Sequence, residues 1–184
     1  MGSEMCIRDR RKYQLGSYLL APTIEALYQA DTSSANLVEL ALRDTDQRLA
    51  QGKSITPAFL FAALLWPVLK LKLAFSKNQN FHPQQAFQQA AQSTLMEQLD
   101  YTAIPKRFTV ASREIWELQS RLQRRNKRSV ESVFNHPRFR AAYDFLLLRE
   151  EAGEELNGLG QWWTNFQNGD TKLRMELIAA VSKS

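Results

Sequence analysis

Basic side chains gather in one segment of the chain, and a row of cations is what binds the phosphates of a nucleic acid. Residues 101–149 contain eleven Lys and Arg against four Asp and Glu, which leaves +7 there, whereas the whole chain carries +5. Nine of the eleven are arginine, whose forked guanidinium bonds phosphate and stacks on bases. The segment therefore predicts a nucleic acid partner. A solvated helix face without such a partner is the alternative interpretation.

A helix predicted over residues 105–125 gives these cations a common direction. At about 100° per residue, apolar side chains fall on one face and basic side chains on roughly the opposite face, provided that the helix continues to residue 128. The apolar face consists of Phe108, Ala111, Ile115, Leu118 and Leu122. The basic face consists of Lys106, Arg113, Arg121, Arg124 and Arg128. One face is thus predicted to be buried while the other presents a row of cations.

One pair of carboxylates, Asp44 and Asp46, matches the Asp-x-Asp by which nucleotidyltransferases hold two magnesium ions. Such a pair works on a strand, where alternate residues point the same way. Here it lies in a helical pattern, in which the two side chains diverge by about 200°. Gly16-Ser17, which resembles a phosphate-binding Gly-Ser, also lies in a helical pattern. We therefore predict no catalytic role for these residues.

Other catalytic or metal-binding patterns are absent from the sequence. His82 and His136 each precede a proline at a predicted helix start, so we interpret both as helix caps or hinges. No pattern of His and Cys has metal-ligand spacing, and no glycine-rich phosphate loop is present. We predict no catalytic residue, no metal site and no cofactor site in this chain.

The elements that must position the cations are helices, because strand signals are nearly absent and strong helix formers dominate. We predict an all-α fold: a compact multi-helix domain of about 8–9 helices in an irregular bundle. The approximate bounds are 13–29 with a kink at Pro22, 34–51 with Ser34 as N-cap, 56–66 with a kink or end at Pro67, 83–99, 105–125, 128–134, 137–151, 162–166 and 171–181. Residues 58–66 are apolar all round and are predicted to lie in the middle of the domain.

Two features bound the setting of this domain. No apolar run reaches the roughly 18 residues that span a bilayer, so we expect no membrane partner. The single Cys6 excludes a disulfide framework within the chain and is typical of a cytoplasmic location.

Residues 1–10 look like a foreign leader and are left out of the fold prediction. Trp162, Trp163 and Phe166 form either a plug over the core or a base-stacking platform, and we favour the plug.

Four segments occur in a characteristic order and spacing: PAFLFAALLW at 57–66, IPKR at 104–107, HPRFRAAYDFL at 136–146, and the WW at 162–163 followed by FQ at 166–167. Together they resemble the C-terminal half of bacterial poly(A) polymerase, over roughly residues 12–167. The resemblance implies a family that adds AMP from ATP to RNA 3′ ends with magnesium, in tails that promote RNA decay. It also implies that the catalytic motifs lie on a preceding head domain and the nucleotide-selecting residues on a neck.

On this resemblance, residues 11–168 are expected to be the helical RNA-binding body and residues 169–184 a C-terminal helix or tail. The chain alone is expected to be inactive, because ATP and magnesium belong to the head. The basic positions of the matching motifs, together with the basic helix face, form the predicted RNA-binding set. This set is Lys106, Arg107, Arg113, Arg121, Arg124, Arg128, Arg138 and Arg140. Expected partners are single-stranded RNA 3′ ends, the catalytic head and proteins of RNA decay.

Two further hypotheses remain open. In the first, the domain is a structural module whose basic face docks onto an acidic partner, such as the head. In the second, it is the body of a CCA-adding tRNA nucleotidyltransferase, a family related to the poly(A) polymerases. The residues that decide nucleotide choice would lie on the neck, so this sequence does not distinguish the two polymerase families.

Overall fold

A computed structural model describes residues 15–76 and 82–181 of the chain. The proposed leader at 1–10 lies outside the described residues. Within the described ranges the chain forms eleven α-helices and no strand, which confirms the predicted all-α fold. The helices are α1 (Leu15–Leu19), α2 (Ala21–Leu27), α3 (Thr32–Ala50), α4 (Pro57–Leu64), α5 (Trp66–Ser76), α6 (Pro83–Leu99), α7 (Lys106–Leu122), α8 (Lys127–Phe134), α9 (Phe139–Glu151), α10 (Leu159–Asn168) and α11 (Thr171–Val181).

The helix count exceeds the predicted 8–9 because two predicted helices are each divided at a proline. Pro22 lies in the first turn of α2, and Pro67 lies in the first turn of α5. A proline is tolerated there because the N–H it lacks has no partner within the helix anyway. The chain therefore bends and re-enters a helix at each proline, and α5 continues to Ser76 beyond the predicted end.

Helices α4 and α5 form the centre of the domain, as their all-round apolar sequence predicts. Every residue from 62 to 69 is buried, and α4 packs along α7. Two hydrogen bonds fix this packing: the Trp116 indole donates to the Ala62 carbonyl at 3.0 Å, and the Ser112 hydroxyl donates to the Ala58 carbonyl at 2.7 Å. The centre thereby holds α7 in place, so that its opposite face is turned outward.

A second apolar cluster joins the later half of α7 to α8, α9 and α10. Trp162, Trp163 and Phe166 are buried in it, and the Trp163 indole donates to the Leu122 carbonyl at 3.0 Å. The favoured interpretation of these aromatics as a plug is thus confirmed. Helix α11 covers this cluster from outside, because Leu177, Ile178 and Val181 are half-buried against it.

No single helix of the described ranges is long and apolar enough to cross a bilayer. Helices α4 and α5 reach the required length and hydropathy only as a pair, across a bend of 47°.

The start of α3 differs from the prediction, which placed the N-cap at Ser34. The N-cap is Asp31, whose carboxylate accepts from the Ser34 backbone N–H at 2.7 Å and also pairs with the Lys70 ammonium at 2.8 Å. Partial burial acts to raise the pKa of the Asp31 carboxyl. The hydrogen bonds from Lys70, Ser34 and Ser33 outweigh it and hold that pKa well below its usual range.

Replacing Asp31 by alanine is expected to lower the free energy of unfolding by about 1–2 kcal/mol at pH 7, because both a helix cap and an exposed ion pair are lost. Asp31→Asn, which keeps the cap acceptor without the charge, should lose less. Because the folded pKa is depressed, the advantage of the wild type should shrink as the pH falls below about 4. Urea denaturation at pH 7 and pH 3 measures both effects. Equal stability of wild type and Asp31→Ala at pH 7 would contradict the assignment.

Candidate nucleic-acid interface

Helix α7 has the two faces that its sequence predicts. Ala111, Ile115, Leu118 and Leu122 are buried, whereas Phe108 is only half-buried. The helix ends at Leu122, before the predicted end at 125. The condition under which Arg124 and Arg128 would continue the same helix face, a helix that reaches residue 128, is therefore not met.

The reason is a cap that starts a new helix. The Asn126 side chain accepts from the Ser129 backbone N–H at 3.0 Å, which stabilises the first turn of α8. The chain folds back there and buries Val130 and Val133 against the second cluster. Arg124 thus lies in the turn between α7 and α8, and Arg128 lies in the first turn of α8.

Three predicted RNA-binding residues are paired with carboxylates on the surface. Within 3.1 Å, Arg113 contacts Glu117, Arg138 contacts Glu114, and Arg140 contacts Asp144. We call these three pairs the paired belt. Each pair is partly exposed, so it contributes little to stability. Each nevertheless cancels one positive charge, so the belt offers phosphate little net attraction.

The α7–α8 turn carries a denser group of cations, which we call the basic corner. Its members are Arg121, Arg124, Arg125, Lys127 and Arg128. No ion pair joins any of them to a carboxylate within residues 15–76 and 82–181. The Arg121 guanidinium donates to the Ser132 hydroxyl at 2.8 Å, and the Arg125 guanidinium lies 5.9 Å from the centre of the Trp162 ring. The corner therefore keeps its positive charge.

The helix dipole adds to the field of this corner. The first turn of α8 contains Lys127 and Arg128 and no acidic residue. A helix N-terminus already carries a partial positive charge, so cations there repel it and an anion would relieve that repulsion. The arrangement favours an anionic ligand over an empty surface.

Lys106 and Arg107 lie at the other end of α7. Both are exposed, and the Arg107 guanidinium lies 4.8 Å from the centre of the Phe108 ring. They are about 22 Å from Arg121 along the helix axis, at 1.5 Å per residue. The structure therefore does not bring the predicted set into one continuous row: part of the paired belt separates Lys106 and Arg107 from the basic corner.

The predicted basic segment also contains Arg149, which is internal. Its guanidinium forms two hydrogen bonds to Glu154, at 2.6 and 2.9 Å, and one to the Gln119 side chain at 2.9 Å. Only 5% of the Arg149 side chain is exposed. This cation holds the fold together and is not available to a ligand.

The residues considered for catalysis lie in helices or caps. Asp44 and Asp46 are both in α3, as predicted; Asp46 is buried, and Asp44 lies 3.7 Å from the Arg43 guanidinium. In the described part of the chain, no three side chains of His, Cys, Asp or Glu come together to hold a metal ion. These residues do not fit the paired magnesium ions of a nucleotidyltransferase.

The two histidines behave as the predicted caps. The His82 Nδ1 accepts from the Gln84 backbone N–H at 3.4 Å, and the His136 Nδ1 accepts from the Arg138 backbone N–H at 3.1 Å. Each imidazole is thereby committed to the chain just before or at a helix start.

A comparison of the sequence with protein families shows to which family the chain belongs. The family described as polymerase A arginine-rich C-terminus matches residues 79–184. The chain belongs to this family. The match includes every residue of the basic corner and of the paired belt.

Three curated proteins with sequences similar to this chain support the family match. Poly(A) polymerase I of Salmonella typhimurium is 37% identical over 162 residues, which cover 85% of this chain and 35% of that protein. The Escherichia coli O157:H7 protein of that name is 38% identical over 153 residues, or 80% of this chain and 33% of its own length. The Haemophilus influenzae protein is 34% identical over 172 residues, or 91% and 38%.

The chain thus spans about a third of the length of the curated relatives that it matches. The matched part is the C-terminal part of those proteins. The resemblance to the C-terminal half of bacterial poly(A) polymerase, predicted from four motifs, is confirmed.

Two members of the basic corner, Arg125 and Lys127, were missed as site residues. The helical-face argument followed one helix and skipped both, because they fall outside its basic face. The run Arg-Arg-Asn-Lys-Arg at 124–128 is the signal that would have found them, since four of five consecutive residues are cations.

Proposed function

We propose that this chain is the RNA-binding C-terminal part of a poly(A) polymerase and that the basic corner binds the RNA backbone. The observation that carries the proposal is the gathering of five cations at the α7–α8 turn, with no carboxylate paired to any of them among the described residues. The paired belt contributes little, and Lys106 and Arg107 lie at the far end of α7, so the proposed site covers only part of the set of eight predicted from sequence.

Counterion release supplies most of the affinity in this proposal. A single strand of RNA gives a slope of log affinity against log salt of about −0.7 for each phosphate neutralised. Arginines at the corner bond a phosphate through two N–H groups, which favours them over the ammonium of lysine. Because these contacts are to the backbone, they position any RNA sequence and select none.

For the whole protein we propose the activity that the names of the relatives state, poly(A) polymerase, with RNA 3′ ends as substrate and ATP as the source of AMP. Its catalytic site would belong to a separate head, because the Asp-x-Asp pair of this chain, Asp44 and Asp46, lies on a helix, where the two side chains diverge. The cytoplasmic location and the RNA-decay partners both stay predictions.

Binding of oligo(A) at two salt concentrations tests the RNA proposal. With five phosphates neutralised, affinity should fall about 100-fold between 50 and 200 mM salt. The chain alone should add no AMP to the oligomer. Absent binding, or equal binding at both concentrations, would contradict the RNA role. A separately expressed head that binds this chain only while Arg121 and Arg124 are intact would then favour the docking module.

A further inference from the structure

A groove of about 980 Å³ lies beside the basic corner, between the start of α6 and the end of α7. Its size is at the upper end of the range of small-ligand pockets. Arg121 and Arg124 form part of one wall, Gln84 and Gln88 part of the other, and Phe87 lies between the glutamines in sequence. The groove therefore has a cationic side, an amide side and an aromatic side chain.

The cationic wall keeps its charge, and one of its two arginines is held in place. Arg121 is half-buried, and its hydrogen bond to the Ser132 hydroxyl fixes the guanidinium. Arg124 is exposed, and its side chain has no ion-pair or hydrogen-bond partner among the described residues. The carboxylate that lines the groove, Glu117, is bonded to Arg113 at 3.1 Å. A phosphate here would meet two arginines and an acid that is already neutralised.

The opposite wall offers groups that suit a base. Gln84 and Gln88 are four residues apart, so their side chains lie on the same face of α6. Both are exposed, and each amide carries a donor and an acceptor, as the edges of bases do. Phe87 is half-buried against the central cluster and supplies apolar surface for a ring to contact.

We propose that the groove receives one unpaired nucleotide of the bound RNA. Its phosphate contacts Arg121 and Arg124, and its base contacts Phe87 and the amides of Gln84 and Gln88. The nucleotide is unpaired because side chains do not reach base edges in the deep groove of an RNA duplex, whereas a strand can turn a base outward. This inference rests on the proposed function and adds a base contact to a backbone contact.

The test compares oligo(A) with an abasic strand of the same length, which carries the same phosphates without bases. Wild type is expected to bind oligo(A) roughly tenfold more tightly, because a base adds an aromatic contact and hydrogen bonds to two amides. Gln84→Ala with Gln88→Ala should reduce this preference about fivefold and leave the salt slope unchanged, because no cation is removed.

The matched control is Gln89→Ala with Gln92→Ala. Both residues are exposed amides of the same helix and lie outside the groove, so this variant should keep the wild-type preference. An equal loss in both double variants would overturn the assignment of the groove.

The outcomes separate this inference from the proposed function. Salt-dependent binding of both strands with equal affinity overturns the nucleotide site and leaves the basic corner intact. Absence of salt-dependent binding to either strand overturns both. Free AMP without RNA tests the alternative that the groove binds a free nucleotide, which carries the same phosphate and base. Saturable AMP binding that the glutamine variant weakens, together with equal affinity for the two strands, would assign the groove to a free nucleotide and overturn the RNA site.

Discussion

Replacing Arg124 and Arg128 by glutamate is expected to lower the affinity for oligo(A) at low salt by a factor of about 100 or more. Each charge-assisted hydrogen bond contributes about 1.5–3 kcal/mol, and removing two at the lower value corresponds to about 100-fold. The slope of log affinity against log salt should also become shallower by about 1.4, or 0.7 for each phosphate that the variant no longer neutralises. Fluorescence anisotropy across a salt series measures both quantities.

The matched control is the charge reversal of Arg138 and Arg140, two members of the paired belt whose partners do not line the groove. It changes the net charge of the chain by the same amount but removes cations that already contact Glu114 and Asp144. We expect a loss of less than about fivefold, because exposed charges are screened and these contribute little net field. If the two double variants lose affinity equally, overall charge rather than the basic corner governs binding.

Replacing Arg149 by alanine is expected to destabilise the fold by about 3–5 kcal/mol, the cost of breaking a buried ion pair from one side. The Glu154 side chain, 23% exposed, would lose its partner, and the Gln119 oxygen would lose the hydrogen bond that it accepts. The guanidinium, which lies 5.0 Å from the centre of the Trp66 ring, would also no longer cover that ring. Urea denaturation followed by circular dichroism measures the change.

Removing both charges separates the effect of an unpaired Glu154 from the effect of losing the other contacts of the Arg149 guanidinium. Arg149→Met combined with Glu154→Leu should recover most of the loss, because apolar groups of similar size replace a buried pair at little cost. The exposed Arg140→Ala should cost less than about 1 kcal/mol. A double variant as unstable as Arg149→Ala would show that the contacts of the guanidinium with Gln119 and with the Trp66 ring, and not the unpaired Glu154, set the effect.

Local pattern was sufficient to predict most of the helices. The 3.6-residue period of α7 and the position of Pro83 at the start of α6 are properties of neighbouring residues, and both agree with the structure. The sequence left open whether the helix ends or only kinks at Pro67, because a proline that ends one helix and a proline that begins the next have the same local signal. Tertiary packing decides between them: Val68 and Leu69 are buried.

Whether a given cation is paired with a carboxylate depends in some cases on sequence spacing and in others on tertiary packing. The pairs Arg113–Glu117 and Arg140–Asp144 are four residues apart on one helix, so sequence spacing could have predicted them. The pair Arg138–Glu114 joins residues 24 apart and exists only because α9 packs on α7. Charge counts along the chain do not show which cations are cancelled across such a contact.

The cations in the first turn of α8 are unfavourable for the stability of the fold but favourable for the binding of an anion. Lys127→Glu or Arg128→Glu would suit the helix dipole and stabilise the fold by about 0.3–1 kcal/mol each. Each change would also remove a cation from the basic corner, where we propose that RNA phosphates bind. A selection for heat resistance alone would therefore enrich acidic residues at 127 and 128 and recover more stable domains whose corner attracts anions less strongly.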